Sequence, residues 1–183
     1  IDLLESGNCS VFISDVTSES SIKKLISFAS ELFSGKLNIL INSAGMNIRS
    51  PIESVSLEDF QEVMSVNLTG TFLTTKLAHP LLKAADYGRV INLASIFSTV
   101  TFPDRLSYSS SKAGVLLFSK TIALEWAQQG ITVNTIHGEK ISIDNIKKRL
   151  NPDVESMEGA ACMMVCNNLG FEFFQIRAIS NYV

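Results

Sequence analysis

The chain has 183 residues, 46% of them hydrophobic and 18% charged, which excludes a disordered or fibrous protein and fits one domain or slightly more at about 150 residues each. A net charge of -3 gives no global field for nucleic acid or an anionic membrane, and the longest charge-free run, Val90 to Pro103, has 14 residues against the roughly 18 a membrane span needs. Three sparse cysteines (Cys9, Cys162, Cys166) suit a soluble protein of a reducing, cytoplasmic compartment and make no disulfide framework.

In chain order, the apolar run Cys9 to Ser14 predicts a strand. A helix follows, with Ile22, Leu25, Ile26, Ala29, Leu32 and Phe33 on one face, Thr17 or Ser18 as N-cap and Gly35 as terminator. Leu37 to Ile41 is continuously apolar, the mark of a strand buried on both faces, and it ends in Asn42-Ser43-Ala44-Gly45. Ser56-Leu-Glu-Asp59 opens a long helix as a capping-box variant, and Gly70 and Pro80 are expected to bend or end it. Gly88 to Ala94 predicts a third strand, about Tyr108 to Gln129 a third helix stopped by Gly130, and Ile131 to Ile136 a fourth strand. Beyond it the pattern predicts a polar helix over 142–150, an apolar helix over 158–168 and a strand over 171–179.

Strands alternating with helices predict an α/β fold with a parallel sheet, whose sites lie at the carboxyl ends of the strands. That directs attention to Ser14-Asp15, Asn42 to Gly45, Ser95 and the start of the third helix. There, Tyr108 and Lys112 stand four residues apart and so share a helix face. A phenol is a poor acid or base at neutral pH, but a neighbouring ammonium in a desolvated cleft favours phenolate and makes it a usable proton donor and acceptor. With ten lysines in the chain, chance alone produces such a pair about once in nine, so the pair needs support from elsewhere. Ser95, at a strand end, is able to hydrogen-bond a substrate oxygen beside Tyr108. Asn67 interrupts an apolar stripe and must be hydrogen-bonded, either bracing a helix bend near Gly70 or ordering water behind Lys112. Asn42 to Gly45 supplies small residues where a ligand approaches the backbone.

Asp15-Val16, Asn42-Ser-Ala-Gly45, Asn67 within Val66-Asn-Leu-Thr-Gly70, Ser95, and Tyr108-Ser-Ser-Ser-Lys112 resemble, in order and spacing, the short-chain dehydrogenase/reductase family over about residues 1 to 136. The resemblance implies a partial Rossmann-like parallel sheet with flanking helices and an NAD- or NADP-dependent enzyme acting on a small carbonyl or alcohol. It implies Tyr108 as proton donor or acceptor and Ser95 as the group orienting the carbonyl. Lys112 would lower the tyrosine pKa and bind the nicotinamide ribose, and Asn67 would hold a relay water. Asp15 and Val16 would contact adenine, and Asn42, Ala44 and Gly45 would line the cofactor. Helices at about 56–83 and 108–129 are where the family pairs into oligomers. Gly45-Met-Asn-Ile-Arg-Ser-Pro51 and Ala123-Leu-Glu-Trp-Ala127 look most like members acting on sugar acids such as gluconate.

Two departures qualify the expectation. The first residue is Ile1 and no Gly-x-Gly-x-x-Gly occurs, since the ten glycines are never closer than Gly130 and Gly138; the first βα unit with its phosphate turn is therefore expected to be missing and the chain incomplete and possibly inactive alone. An unpaired sheet edge, weak cofactor binding and aggregation would follow. After Ile136, His137-Gly-Glu-Lys140 replaces the Pro-Gly and threonine the family carries. From about 132 onward the chain resembles nucleosidases of the phosphorylase superfamily, closest to futalosine hydrolase, in Glu155-Ser-Met-Glu-Gly-Ala-Ala161 and Phe174 to Val183. That resemblance implies a second α/β fragment over 137–183, a chimera joined near Thr132 to Thr135, with Met157 and Glu158 gripping ribose and Asn181 at the purine. No metal site is expected, because neither His79 nor His137 lies near Cys162 and Cys166.

Overall fold

The computed structural model describes residues 10–137 and the backbone of 174–176. The elements are α1 (Glu19–Leu32), β1 (Ile39–Asn42), α2 (Leu57–Met64), a π turn (Ser65–Thr69), α3 (Gly70–Ala84), β2 (Gly88–Leu93), a short 3₁₀ turn (Ile96–Ser98), α4 (Leu106–Trp126), a second 3₁₀ turn (Ala127–Gln129), β3 (Ile131–Ile136) and β4 (Phe174–Ile176). The strands form one parallel sheet in the order β3-β2-β1-β4. Parallel neighbours need crossovers, and α2 through α3 carries β1 to β2 while α4 carries β2 to β3.

Local sequence accounts for the helix ends. Ser18, rather than Thr17, caps α1 by accepting from the Ser21 amide at 3.3 Å, and Gly35 closes it with φ 78° while its N–H reaches the Ser30 carbonyl at 2.8 Å. Ser56 caps α2 by accepting from the Asp59 amide at 3.0 Å. Gly130, at φ 73°, turns the chain from α4 into β3. Ile22 and Leu25 of α1, Leu40 of β1, Ala78, Leu81 and Leu82 of α3, Val90 of β2 and Ile131 of β3 form one core on a single face of the sheet. Each fully buried Ile or Leu there contributes about 1.5 to 3 kcal/mol. The alternate residues Ile39, Ile41 and Ile91 point to the opposite face.

Three expectations change. Residues 10–14 form no strand: Val11 is 70% and Ile13 95% exposed, Phe12 stacks on Phe28 at 5.1 Å, and Ser14 and Asp15 are tied to the Ser21 hydroxyl. A strand requires a lateral partner, and among the described residues this segment has none. Neither does Pro80 end the long helix, which runs on to Ala84; the irregularity is the π turn just before Gly70. The far edge of β1, expected to be open, pairs with β4 through Leu40↔Phe174, Ile41↔Gln175 and Asn42↔Ile176. The predicted helices over 142–150 and 158–168 lie outside the described residues, and of the strand predicted over 171–179 only Phe174–Ile176 is described.

Candidate active site

The sheet's carboxyl edge is assembled by a buried polar ladder. Asn42 and Asn92 are register partners on β1 and β2, and the Asn42 amide donates to Asn92 Oδ1 at 2.7 Å and to Thr75 Oγ1 of α3 at 2.9 Å. Asn92 in turn donates to Ser119 Oγ of α4 at 2.8 Å. Buried amides left unpaired are costly, so this chain of bonds fixes the height of α4 against the strand ends. Both amide hydrogens of Asn42 are thereby engaged within the protein.

Fixing α4 fixes Tyr108 and Lys112, one turn apart at its start. Lys112 is only 5% exposed; its ammonium donates to the Leu93 carbonyl at 2.6 Å and lies 5.7 Å from the Tyr108 ring centre. Leu93 is the last residue of β2, so the cation stands at the strand's carboxyl end. Asn67 is wholly buried in the π turn. Its Oδ1 accepts from the Met46 amide at 2.8 Å, and its Nδ2 donates to the Met46 carbonyl and to Ser111 Oγ, both at 2.9 Å. Ser111 itself donates to the Tyr108 carbonyl at 2.8 Å. Asn67 thus clasps the loop after β1 to α4 next to Tyr108. Gly45 completes the cluster, since a Cβ there would sit 3.4 Å from Asn67 Oδ1 and 3.5 Å from Lys112 Nζ.

Ser95 follows β2 in extended conformation and caps the short turn, accepting from the Phe97 amide at 3.2 Å while its own amide donates to Ser98 Oγ at 3.1 Å. These bonds orient the serine and leave its hydroxyl hydrogen uncommitted among the described residues. The Phe97 ring meets the Tyr108 ring edge-on at 6.1 Å. Asp15 and Val16 stand apart, at the entrance to α1. The exposed Asp15 carboxylate accepts from the Thr17 amide and hydroxyl, both at 2.8 Å. Val16 is core, packed so close to Gly70 that a Cβ there would come within 3.0 Å of it. Met157, Glu158 and Asn181 lie outside the described residues.

Two shielded side-chain nitrogens in the described residues have no hydrogen-bond partner, Nη1 of Arg105 and Nδ1 of His137. Both belong to this edge: Arg105 directly precedes α4, and His137 follows β3, where the Ala94 amide donates to the Ile136 carbonyl. Unsatisfied groups of this kind in an otherwise paired structure call for a water, an ion or a ligand as partner. No group of three His, Cys, Asp or Glu side chains among the described residues is arranged to hold a metal ion. Nor is any described helix long and apolar enough to cross a membrane.

Residues 3–154 match the short chain dehydrogenase family. The chain belongs to that family. D-beta-hydroxybutyrate dehydrogenase of Rhizobium meliloti is 32% identical over 166 residues, 91% of this chain and 64% of that relative. A short chain dehydrogenase structure from Mycobacterium smegmatis aligns over 100% of this chain and 75% of its own, with a TM-score of 0.73 at 23% identity. The RhlG/NADP active-site complex of Pseudomonas aeruginosa aligns over 83% of this chain and 61% of its own, at TM-score 0.70 and 27% identity. The chain spans about half the length of most of the curated relatives it matches. The α/β fold with a Rossmann-like parallel sheet is therefore that of a short chain dehydrogenase, and the family match continues past residue 136 to 154. Sequence reading missed Arg105; its signal was a cation one helical turn ahead of Tyr108.

Proposed function

We propose that this short chain dehydrogenase is an NAD(P)-dependent oxidoreductase that interconverts a carbonyl and an alcohol, with Tyr108 moving the proton. The observation that carries the reading is the buried Lys112 ammonium, held by the Leu93 carbonyl one helical turn from Tyr108. Tyr108 donates its phenolic proton to the substrate oxygen in reduction and accepts it in oxidation. Ser95 donates its free hydroxyl hydrogen to the same oxygen, orienting the carbonyl. Asn67 keeps the loop after β1 closed against Ser111; both its amide hydrogens are engaged, so a relay water would meet it at Oδ1.

The residues present fit the nicotinamide half of a dinucleotide. Gly45 and Ala44 leave the strand end free of bulk, Lys112 offers an ammonium to ribose hydroxyls, and the shielded Nδ1 of His137 lacks a partner at the same edge. Asp15 and Val16 are assigned to the adenine end, with Asn42 setting the strand ends behind the ligand. When bound, NAD or NADP accepts or supplies the hydride. Relatives named for D-beta-hydroxybutyrate, glucose and threitol support a small hydroxylated or oxo substrate, and the likeness to sugar-acid members is a finer proposal of the same kind. Exposed Leu117 and Leu124 on α4 and Phe72 on α3 support pairing of copies through helices about 56–83 and 108–129. Sparse cysteines support a cytoplasmic setting. The division at 136 and the nucleosidase alternative for 137–183 rest on sequence resemblance alone, while the family match runs through residue 154.

The test is nicotinamide absorbance with a panel of small ketones and alcohols, for the chain and for Tyr108→Phe. Removing a positioned acid/base group lowers turnover by about a hundred- to ten-thousandfold. Equal turnover by both proteins would remove Tyr108 from the reaction.

A further inference from the structure

Arg105 is a cation with an unmet demand. Its Nη1 is shielded from solvent with no hydrogen-bond partner, and no carboxylate pairs with it among the described residues. Its surroundings hold it in place. The guanidinium carbon lies 5.6 Å from the centre of the Phe97 ring, and the same ring meets Tyr108 at 6.1 Å, so the cation and the proton-transfer tyrosine share one aromatic neighbour. The Arg105 backbone bridges to Ser50 of the loop after β1, and the preceding Asp104 adopts φ 63°, a left-handed conformation that aspartate tolerates and that sets how the chain enters α4.

The field at this point favours an anion further. Arg105 is the N-cap of a 21-residue helix, with no capping side chain and no acid in the first turn. The positive end of the helix dipole therefore adds to the guanidinium charge, and the nearest carboxylate in sequence, Asp104 just before the cap, forms no ion pair with Arg105.

We propose that Arg105 anchors a carboxylate carried by the substrate, making the substrate class oxo acids and their hydroxy-acid counterparts. The proposal rests on the oxidoreductase reading for the other end of the substrate, where Tyr108 and Ser95 hold the carbonyl or alcohol oxygen. Arg105 grips the carboxylate through paired N–H donors, and the apolar Phe97 face accommodates the carbon chain between the two polar ends. A substrate without a negative charge leaves Nη1 unpaired and binds more weakly.

The experiment is ligand-observed NMR titration of the full 183-residue chain with levulinate and 5-oxohexanoate, each against its methyl ester, without cofactor. The wild-type chain binds at least one acid more tightly than its ester by about ten- to a hundredfold, the range for a charge-assisted hydrogen bond. Arg105→Gln abolishes that preference. Arg105→Lys, which keeps the charge but not the planar fork, retains a smaller one and covers the case in which the glutamine variant fails to fold, checked by circular dichroism. Acid and ester binding equally to the wild type for both pairs, or a full preference in either variant that folds, overturns the proposal. In a separate NADP titration, an Arg105→Gln variant that loses NADP binding but keeps the acid preference also overturns it, and would assign the anion to the cofactor. Because no turnover is needed, a failed nicotinamide assay would sink the oxidoreductase reading while leaving the acid preference of Arg105 measurable.

Discussion

Asn67→Leu isolates the clasp between the loop after β1 and α4. The side chain is wholly buried and makes three hydrogen bonds, to the Met46 amide, the Met46 carbonyl and Ser111 Oγ. Leucine has the same branching at Cγ, though bulkier, and bonds to none of them. The Met46 N–H is then stranded, at about 1 to 3 kcal/mol, and the other two bonds are lost at about 1 kcal/mol each. Ser111 softens its share because it still donates to the Tyr108 carbonyl. Burial of the new apolar atoms returns about 1 to 2 kcal/mol. The net expectation is a loss of about 2 to 3 kcal/mol, a large part of the 5 to 15 kcal/mol typical of a domain. The π turn itself retains the bond from Thr71 Oγ1 to the Asn67 carbonyl, which is backbone on the Asn67 side, so the helix persists and the loss reports on the clasp. Urea unfolding gives the energy, and amide hydrogen exchange at Met46 gives its location. A stability within 0.5 kcal/mol of wild type, or undiminished protection at Met46, would refute this account.

The remaining expectations are steric and local. Gly88→Ala puts a Cβ 2.9 Å from the Leu82 carbonyl oxygen and 2.9 Å from Ile131 Cγ1; backbone cannot yield, so thermal melting should show a loss of about 1 to 3 kcal/mol. Gly114→Ala has the flexible Leu68 side chain as its nearest neighbour, at 2.8 Å, and gains helix propensity of about 1 kcal/mol; its melting point should stay near wild type, and a drop as large as that of Gly88→Ala would contradict the reasoning. Ser56→Ala removes the cap at the Asp59 amide and should cost about 1 kcal/mol in urea unfolding, more than Ser18→Ala, whose capping bond is longer at 3.3 Å.

What was legible in the sequence was local. Helix α1 with its Ser18 cap and Gly35 stop, the Ser56 cap, strand β3 and the turn at Gly130 all follow from residues within a few positions of one another. The run at Cys9 to Ser14 has strand composition, but a strand exists only beside a neighbour, and its neighbours are not encoded in the run. Likewise Pro80 reads as a breaker because propensity prices the helix in isolation, whereas α3 is held against α1 and the sheet by Ala78, Leu81 and Leu82. The candidate site divides in the same way. Tyr108 and Lys112 show themselves by spacing, yet what makes the lysine informative is a bond to Leu93, nineteen residues away, and what makes Asn67 informative is Met46, twenty-one away. Arg105 carries no sequence signal beyond its place one turn before Tyr108. Its interest comes from a missing partner, and a missing partner is visible only after every other buried side-chain nitrogen and oxygen in the described residues, His137 Nδ1 excepted, has found one. The two groups left wanting stand at the carboxyl edge of the sheet, where a parallel α/β fold binds its ligands, and the proposed carboxylate anchor is one of them.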